Sequence, residues 1–459
     1  NPLSFSGPKI IKGDVNGDGL EDIFVGGESG QAASIFIQQK NGSFAKRAEP
    51  AFESDKACQD ADALFFDADG NGSKDLYIVS GGYHSYLPND SLLQDRLYIN
   101  DGKGNFTKSI SSLPAMPVSK SCVRSSDING DGFLDLFVGG RVVPGRYPET
   151  PNSYVLINDG KGHFKDETAL LAPDLQKIGM VADAAWIDLN GDKNKELIIV
   201  GEWMPITVFK NTTGKLTNKT ADFFTKSFAG WWNTITTGDF NKDGKPDLII
   251  GNQGLNTQCK ATDKEPAEMF YKDFDDNGSV DPILCFYIQG KSYPYVTRDE
   301  LFDQMSIMRT RFSDYNSYAD ATLKDIFTQE ELTGVGHLQA NYLQTAYFES
   351  AVDGKFHEKK LPLQAQFSPV FTITSLDYNK DGNDDVLLCG NINHARLRFG
   401  KYDANYGVLL KGDGKGNFTY INQQQSGFNL WGDVRSVVDI NNTLLFGINQ
   451  QAIKAYKAR

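Results

Sequence analysis

At 459 residues the chain is long enough to bury more than one core, and its formal net charge of −13 argues against a nucleic-acid partner, which needs basic stripes. No run of 18 or more apolar residues occurs, so no transmembrane helix is expected. The excess acid sits largely in one recurring phrase, which points towards bound cations instead.

That phrase is first met just after Gly13. Asp14, Asn16, Asp18 and Asp22 take positions 1, 3, 5 and 9 of a glycine-rich loop that runs into Ile23-Phe24-Val25. Short oxygen-bearing side chains two residues apart can converge on one hard cation, and the glycines let the backbone add the Leu20 carbonyl at position 7. An EF-hand would need a Glu at position 12 and flanking helices. Here a strand follows, so the phrase reads as a Ca²⁺ loop inside a β-hairpin.

The phrase returns six times. The side chains, with the position-7 carbonyl last, are Asp67, Asp69, Asn71, Asp75 and Ser73, then Asp127, Asn129, Asp131, Asp135 and Phe133. Next come Asp188, Asn190, Asp192, Glu196 and Asn194, and Asp239, Asn241, Asp243, Asp247 and Lys245. The last two sets are Asp273, Asp275, Asn277, Asp281 and Ser279, and Asp377, Asn379, Asp381, Asp385 and Asn383. Seven occurrences in register with strands weigh against simple solvated Asx turns. Six to seven Ca²⁺ ions are expected, with no neutralising lysine nearby. The Asp188 loop is the weakest, because Lys193 replaces the turn glycine and Glu196 the final Asp.

From Asp14 through Asp67, Asp127 and Asp188 to Asp239 the steps are 53, 60, 61 and 51 residues, the period of a solenoid or propeller unit. The second unit shows four strands: Ala63 to Asp67, Leu76 to Ser80, Arg96 to Asn100 and, after an Asp-Gly turn, Phe106 to Ile110. Four antiparallel strands make a propeller blade. The fold expected is an all-β, seven-bladed β-propeller with an α/β insertion in blade 5.

Asp239 to Asp377 is 138 residues, too many for one blade. The domain division is therefore 1–255 for blades 1 to 5 (first part), 256–341 for an insertion carrying its own loop and helices, and 342–459 for the rest of blade 5, blade 6 and blade 7. In the insertion, Thr297 with Glu300 and Thr328 with Glu331 read as capping boxes, and Leu301, Met305, Met308 and Phe312 share one helical face. Blade 7 has three strands near 436–456, and Leu3 to Ser6 would supply the fourth and close the ring. Five cysteines leave two readings open, a Cys58–Cys122 bridge or buried thiols.

The repeated Asp-x-Asn/Asp-Gly-Asp-Gly-x-x-Asp hairpins resemble the FG-GAP/VCBS repeats of integrin-α-like propellers. The phrases from Gly13 to Asp22, Phe65 to Asp69, Asp135 to Val142, Gly201 to Ile206 and Gly230 to Asn233 are similar to the C-terminal propeller of surface VCBS-repeat proteins of Bacteroidetes. Those often carry an ASPIC/UnbV segment, which this sequence does not show. The resemblance implies a Ca²⁺-stabilised propeller at a cell surface. With Asn1 at the start and neither Met nor signal peptide, the chain reads as a mature or excised piece of a larger chain, extracytoplasmic, and secreted or attached to the outer membrane.

Long second-to-third-strand loops share the face opposite the acidic loops with the links between blades. That face gathers Glu28, Tyr83, His84, Arg141, Arg146, Tyr147, Glu202, Trp203, Trp231, Trp232, Asn252, Asn391, His394 and Arg396. Tyr83, Arg141, Trp203 and Trp232 are the first choices as aromatic plates and a charged anchor for a glycan or protein partner. Trp203 and Trp231 read equally well as plugs between blades. No nucleophile elbow, zinc-protease motif or phosphate loop occurs, so no catalytic residue is assigned. The expected role is a binding module. The alternatives are a lyase-like polysaccharide-processing enzyme and an accessory subunit of an outer-membrane nutrient-uptake complex.

Overall fold

A computed structural model describes residues 6–395 and 397–457. The strand after each acidic loop is apolar because it lies in mid-sheet with both faces covered: every residue of Asp75–Gly81 is buried. Its partners alternate more, as strands nearer an edge do.

Sheet 1 joins Ile10–Gly13, Asp22–Val25, Ser34–Gln38 and Phe44–Arg47 in that order. Sheet 2 joins Gln59–Phe66, Asp75–Gly81, Arg96–Asn100 and Phe106–Lys108, and sheet 3 joins Ser119–Ser126, Asp135–Val142, Tyr154–Asn158 and Phe164–Asp166. Sheet 4 contains Met180–Ile187, Glu196–Pro205, Thr207–Thr212 and Lys215–Asn218, with Ala229–Trp231 paired onto the end of its second strand. Sheet 5 joins Thr234–Gly238 and Asp247–Gly251 to the distant Ala346–Ser350 and Phe356–Lys359. Sheet 6 contains Val370–Leu376, Asp385–Gly390, Val408–Gly412 and Phe418–Ile421, and sheet 7 contains Val434–Ile440, Thr443–Ile448 and Lys454–Lys457. All pairings are antiparallel, and the architecture is that of a β-propeller.

First strands abut one another in sequence, and the first strand of sheet 7 returns to that of sheet 1. At that junction the Ile10 amide donates to Ser436 Oγ at 3.1 Å, and Ser436 Oγ donates to the Pro8 carbonyl at 2.8 Å. Between sheets the core is continuous: Tyr77, Val79 and Leu97 of sheet 2 pack with Val123, Leu136 and Val138 of sheet 3. A polar clasp repeats on the loop side. The last asparagine of a third strand donates to the position-2 carbonyl of the preceding loop, as Asn100 to Val15, Asn158 to Ala68 and Asn211 to Ile128, at 2.8 to 3.0 Å.

The chain between Gly251 and Ala346 builds a separate sheet, ordered Lys291–Pro294, Asp281–Ile288, Ala267–Lys272 and Gly336–Ala340. Helix Arg298–Gln304 starts with the Thr297–Glu300 capping box fully formed. Leu301, Met305, Met308 and Phe312 are all buried together, but not on one continuous helix. The helix ends at Met305, whose extended backbone (φ −135°, ψ 99°) redirects the chain into a 3₁₀ turn over Ser306–Thr310. Seven residues are too few to hold a helix by propensity, and the shared core against Ile283 and Cys285 dictates the path instead. The Thr328–Glu331 hydrogen bonds form as well, yet no helix follows them. Glu331 is instead engaged by Arg311.

Among the described residues sheet 7 has three strands, and the proposed closing strand at Leu3 to Ser6 falls, through residue 5, outside them. All five cysteines are buried free thiols, and burial pushes that of Cys122 up to about 12. No described helix is long and apolar enough to cross a membrane.

Candidate functional site

In sheets 1 to 6 each acidic loop joins a first strand to a second, so these six hairpin loops lie at one end of the strands, and the seventh, at Asp273, belongs to the insertion's own sheet. The position-1 carboxylate gathers loop amides: Asp14 accepts from Gly17 and Gly19 at 2.7 and 2.8 Å, and Asp127 from Gly130 and Gly132 at 2.7 and 2.9 Å. Position 6 is left-handed throughout, which glycine adopts freely. In the Asp188 loop Lys193 takes the same conformation, at φ 69°, against the preference of a side chain with a Cβ.

Position 9 does something the sequence did not disclose. Its carboxylate is buried and staples the hairpin. Asp22 accepts from the Val15 and Gln38 amides, Asp75 from Ala68 and Asn100, Asp135 from Ile128 and Asn158, and Asp385 from Tyr378 and Gly412. Asp247 adds the Tyr347 hydroxyl to the Phe240 and Ser350 amides. Glu196, one methylene longer, holds Leu189 but turns its other oxygen to the Asn190 amide group. Burial raises these carboxyls, those of Asp75 and Asp247 to about 6.

Whether the loops fit a cation depends on position 3. Where it is Asp, three carboxylates converge: Asp67, Asp69 and Asp75, and again Asp273, Asp275 and Asp281, each bring an oxygen within 4.8 Å of the others. Asp275 Oδ1 is buried without a hydrogen-bond donor, as a ligand atom would be. Hard carboxylate oxygens suit Ca²⁺. The other five loops carry Asn at position 3, and in three of them (Asn16, Asn129 and Asn379) its amide group donates to the position-5 Asp. The expectation of no neutralising lysine is corrected. Lys411 Nζ lies 3.0 Å from Asp381 and Lys210 Nζ 3.4 Å from Asp192, both reaching across from third strands.

At the opposite end, where first strands begin and second strands finish, the sheets surround a cavity of about 200 Å³. Lys9, Arg141, Glu202, Trp231, Phe371 and Arg435 contribute to its wall. A β-bulge between Glu202 and Met204 places Trp203 at φ 60° and leaves it unpaired, while Glu202 stays in register with Trp231. The result is a connected chain. Arg141 Nη2 donates to Glu202 Oε2 at 2.5 Å, the Tyr147 hydroxyl to Glu202 Oε1 at 2.6 Å, and Trp203 Nε1 to the Tyr147 hydroxyl at 2.8 Å. Trp203 meets Trp231 edge to face at 5.1 Å. Arg141 Nη1 and Trp231 Nε1 are buried with no acceptor. Each such donor costs about 1–3 kcal/mol until something accepts from it.

Two of the four chosen ligand residues prove to be core. Trp232 is 0% exposed, stacked on Tyr342 and donating to the Phe228 carbonyl, and Trp203 is 6% exposed. Neither presents a plate to a partner. Arg141 does line the cavity, whereas half-buried Tyr83 is not among its lining residues and hydrogen-bonds with the Tyr147 backbone. Trp231 is the indole that reaches the wall. A further aromatic went unnoticed in the sequence: Trp431, 58% exposed, edge to face with Tyr406 at 4.9 Å in a link before sheet 7. Arg396 lies outside the described residues.

The insertion leans on this end. Arg146 Nη1 donates to the Gly278 carbonyl in the Asp273 loop at 3.2 Å. On the far side Arg398 sits over the Tyr295 ring at 4.0 Å and pairs with Glu300. Between them, Trp203 and Met180 share a core with Cys259, Ala267, Met269 and Ala340 of the insertion.

Repeated four-stranded sheets with an acidic hairpin loop in each first connection define a repeat-built β-propeller. Residues 14–78, 67–138, 127–199 and 188–250 match the FG-GAP-like repeat, just over half of the chain in all, and the chain belongs to that family. Solved structures similar to it include a lectin from Agrocybe aegerita that recognises non-reducing terminal N-acetylglucosamine (15% identity, 90% of this chain and 79% of that one, TM-score 0.44). The V. cholerae biofilm matrix protein Bap1 gives 13% identity over 99% and 88%, with TM-score 0.38. The exotype rhamnogalacturonan lyase YesX gives 11% over 99% and 72%, with TM-score 0.43. No curated protein matches the chain.

Proposed function

We propose that this protein is a seven-bladed, Ca²⁺-stabilised propeller acting outside the cytoplasm, at a cell surface, as a binding module for a glycan or a protein partner. The insertion, residues 256–341, is read as a subdomain that caps the binding end. The observation that carries the reading is the pair of buried donors, Arg141 Nη1 and Trp231 Nε1, on the wall of the cavity opposite the acidic loops. Unpaired donors on residues that line a cavity suit a ligand's oxygens. Bound Ca²⁺ would be held by Asp67, Asp69 and Asp75 and by Asp273, Asp275 and Asp281 first, with the five Asn-bearing loops following. It would supply charge neutralisation that pins each hairpin. Ca²⁺ at extracellular levels suits such modules, which favours an extracytoplasmic site of action.

A lyase-like reading has less support: among the described residues, no histidine joins the Arg141–Glu202–Tyr147–Trp203 hydrogen bonds. The test is a glycan array together with partner capture from cell-surface extract, run in Ca²⁺ and in EDTA. The double variant Arg141→Ala, Trp231→Ala should lose capture while remaining folded. Undiminished capture by that variant would move the site elsewhere.

A further inference from the structure

The cavity's charge is opposite to that of the molecule. In a chain of net charge −13, the ionised side chains lining this wall include Lys9, Arg141 and Arg435, with Glu202 the single carboxylate among the lining residues. The acids that balance these cations stand behind the surface. Asp62, salt-bridged to Lys9 at 3.2 Å, is 1% exposed, and Asp433, beside Arg435, is 3% exposed. Glu202 has both oxygens occupied, one by Arg141 and one by Tyr147. Arg141 Nη1 and Trp231 Nε1 are left without an acceptor. The Lys9 ammonium adds a third donor to the same wall, beside the serine hydroxyls and the Asn233 and Gln253 amides.

Resting on the binding-module reading, we infer that the cavity takes a carboxylate-bearing sugar unit, a hexuronate, at the end or branch of an acidic glycan. The guanidinium edge of Arg141 matches a carboxylate better than a hydroxyl, and Lys9 adds charge without rigid geometry. The Trp231 and Phe371 rings, the latter under the Arg435 guanidinium at 4.1 Å, give apolar surface for the carbon face of the ring. About 200 Å³ is below the range of drug-sized sites, so one sugar unit rather than an oligomer is admitted.

Calorimetric titration of the whole chain in Ca²⁺ at low salt, with glucuronate, galacturonate, glucose, galactose and acetate, tests this. A hexuronate should bind about tenfold or more tightly than its neutral sugar and than acetate, and the preference should shrink as salt rises. Trp231→Phe, which removes the N–H and keeps a ring, should weaken hexuronate binding while far-UV dichroism and Tm stay near those of the parent. Lys9→Gln should weaken it with a lower Tm, since buried Asp62 keeps only Arg124 as a salt-bridge partner. Neutral sugars bound as tightly as their acids, with the same loss in Trp231→Phe, would overturn the carboxylate inference and leave the binding module standing. Acetate bound as tightly as the hexuronate would overturn the sugar half. Hexuronate binding indifferent to both variants would overturn the site itself.

Discussion

Glu28 carries a pH signature of its own, outside the acidic loops. Its Oε1 is buried without a donor, and burial, helped by the Asp60 charge, lifts its pKa to about 7. The folded protein therefore holds a proton that the unfolded chain releases from about pH 4.5 upwards. Stability should fall as pH rises from about 4.5 to about 7 and then level off. The shift corresponds to about 2–3 kcal/mol at pH 8, at the lower end because the side chain is only part-buried. Glu28→Gln should raise Tm by several degrees at pH 8 and by almost nothing at pH 4.5, read from thermal melts across that window. An equal gain at both would mean the proton plays no part. The same scale shows where sequence reasoning stops. Trp231 and Trp232 are adjacent, and strand alternation says only that they face opposite ways. Stacking on Tyr342, which is far away in sequence, and the hydrogen bond to the Phe228 carbonyl send Trp232 inward.

Hairpins are the level at which the chain was most readable, because turn chemistry is local. The Asp-Gly phrases, the central apolar strands and the four-strand units follow from residues a few positions apart, as in Arg96–Asn100 of sheet 2. What lay beyond reach were partners delivered by the third strand: the Lys411 and Lys210 ammonium groups, and the amides that bind position 9. Those amides make a separable prediction. Asp135 accepts two buried backbone amides, whereas Asp131 is exposed at the loop tip. Asp135→Ala should cost about 2–5 kcal/mol whether or not Ca²⁺ is present, since both amides lose their acceptor. Asp131→Ala should be costly only in Ca²⁺. Paired melts of both variants in Ca²⁺ and EDTA decide it. A calcium-dependent penalty for Asp135→Ala alone would make position 9 a metal ligand with no stapling role.

The whole molecule places its two chemistries at opposite ends of the same strands, acid at the hairpins and part-buried cations around the cavity. The insertion ties the two together by bringing one acidic loop, at Asp273, over to Arg146 at the cavity end. Its removal is geometrically clean, because Leu248 of the second strand of sheet 5 already pairs with Phe348 of the third, so the flanking chain ends are held side by side. It is not energetically clean. Trp203, Met180 and Leu343 would lose the apolar surface of Ala267, Met269 and Ala340. Replacing 256–341 by a short glycine linker should therefore leave the strand dichroism of the ring intact and lower Tm by about 5 °C or more. Ligand binding at the cavity should weaken with it, because Trp203 and Trp231 lose the insertion's side of their shared core. Full binding by a folded deletion variant would make the insertion a separate module. A deletion variant with no cooperative melt would make it part of the propeller's own core.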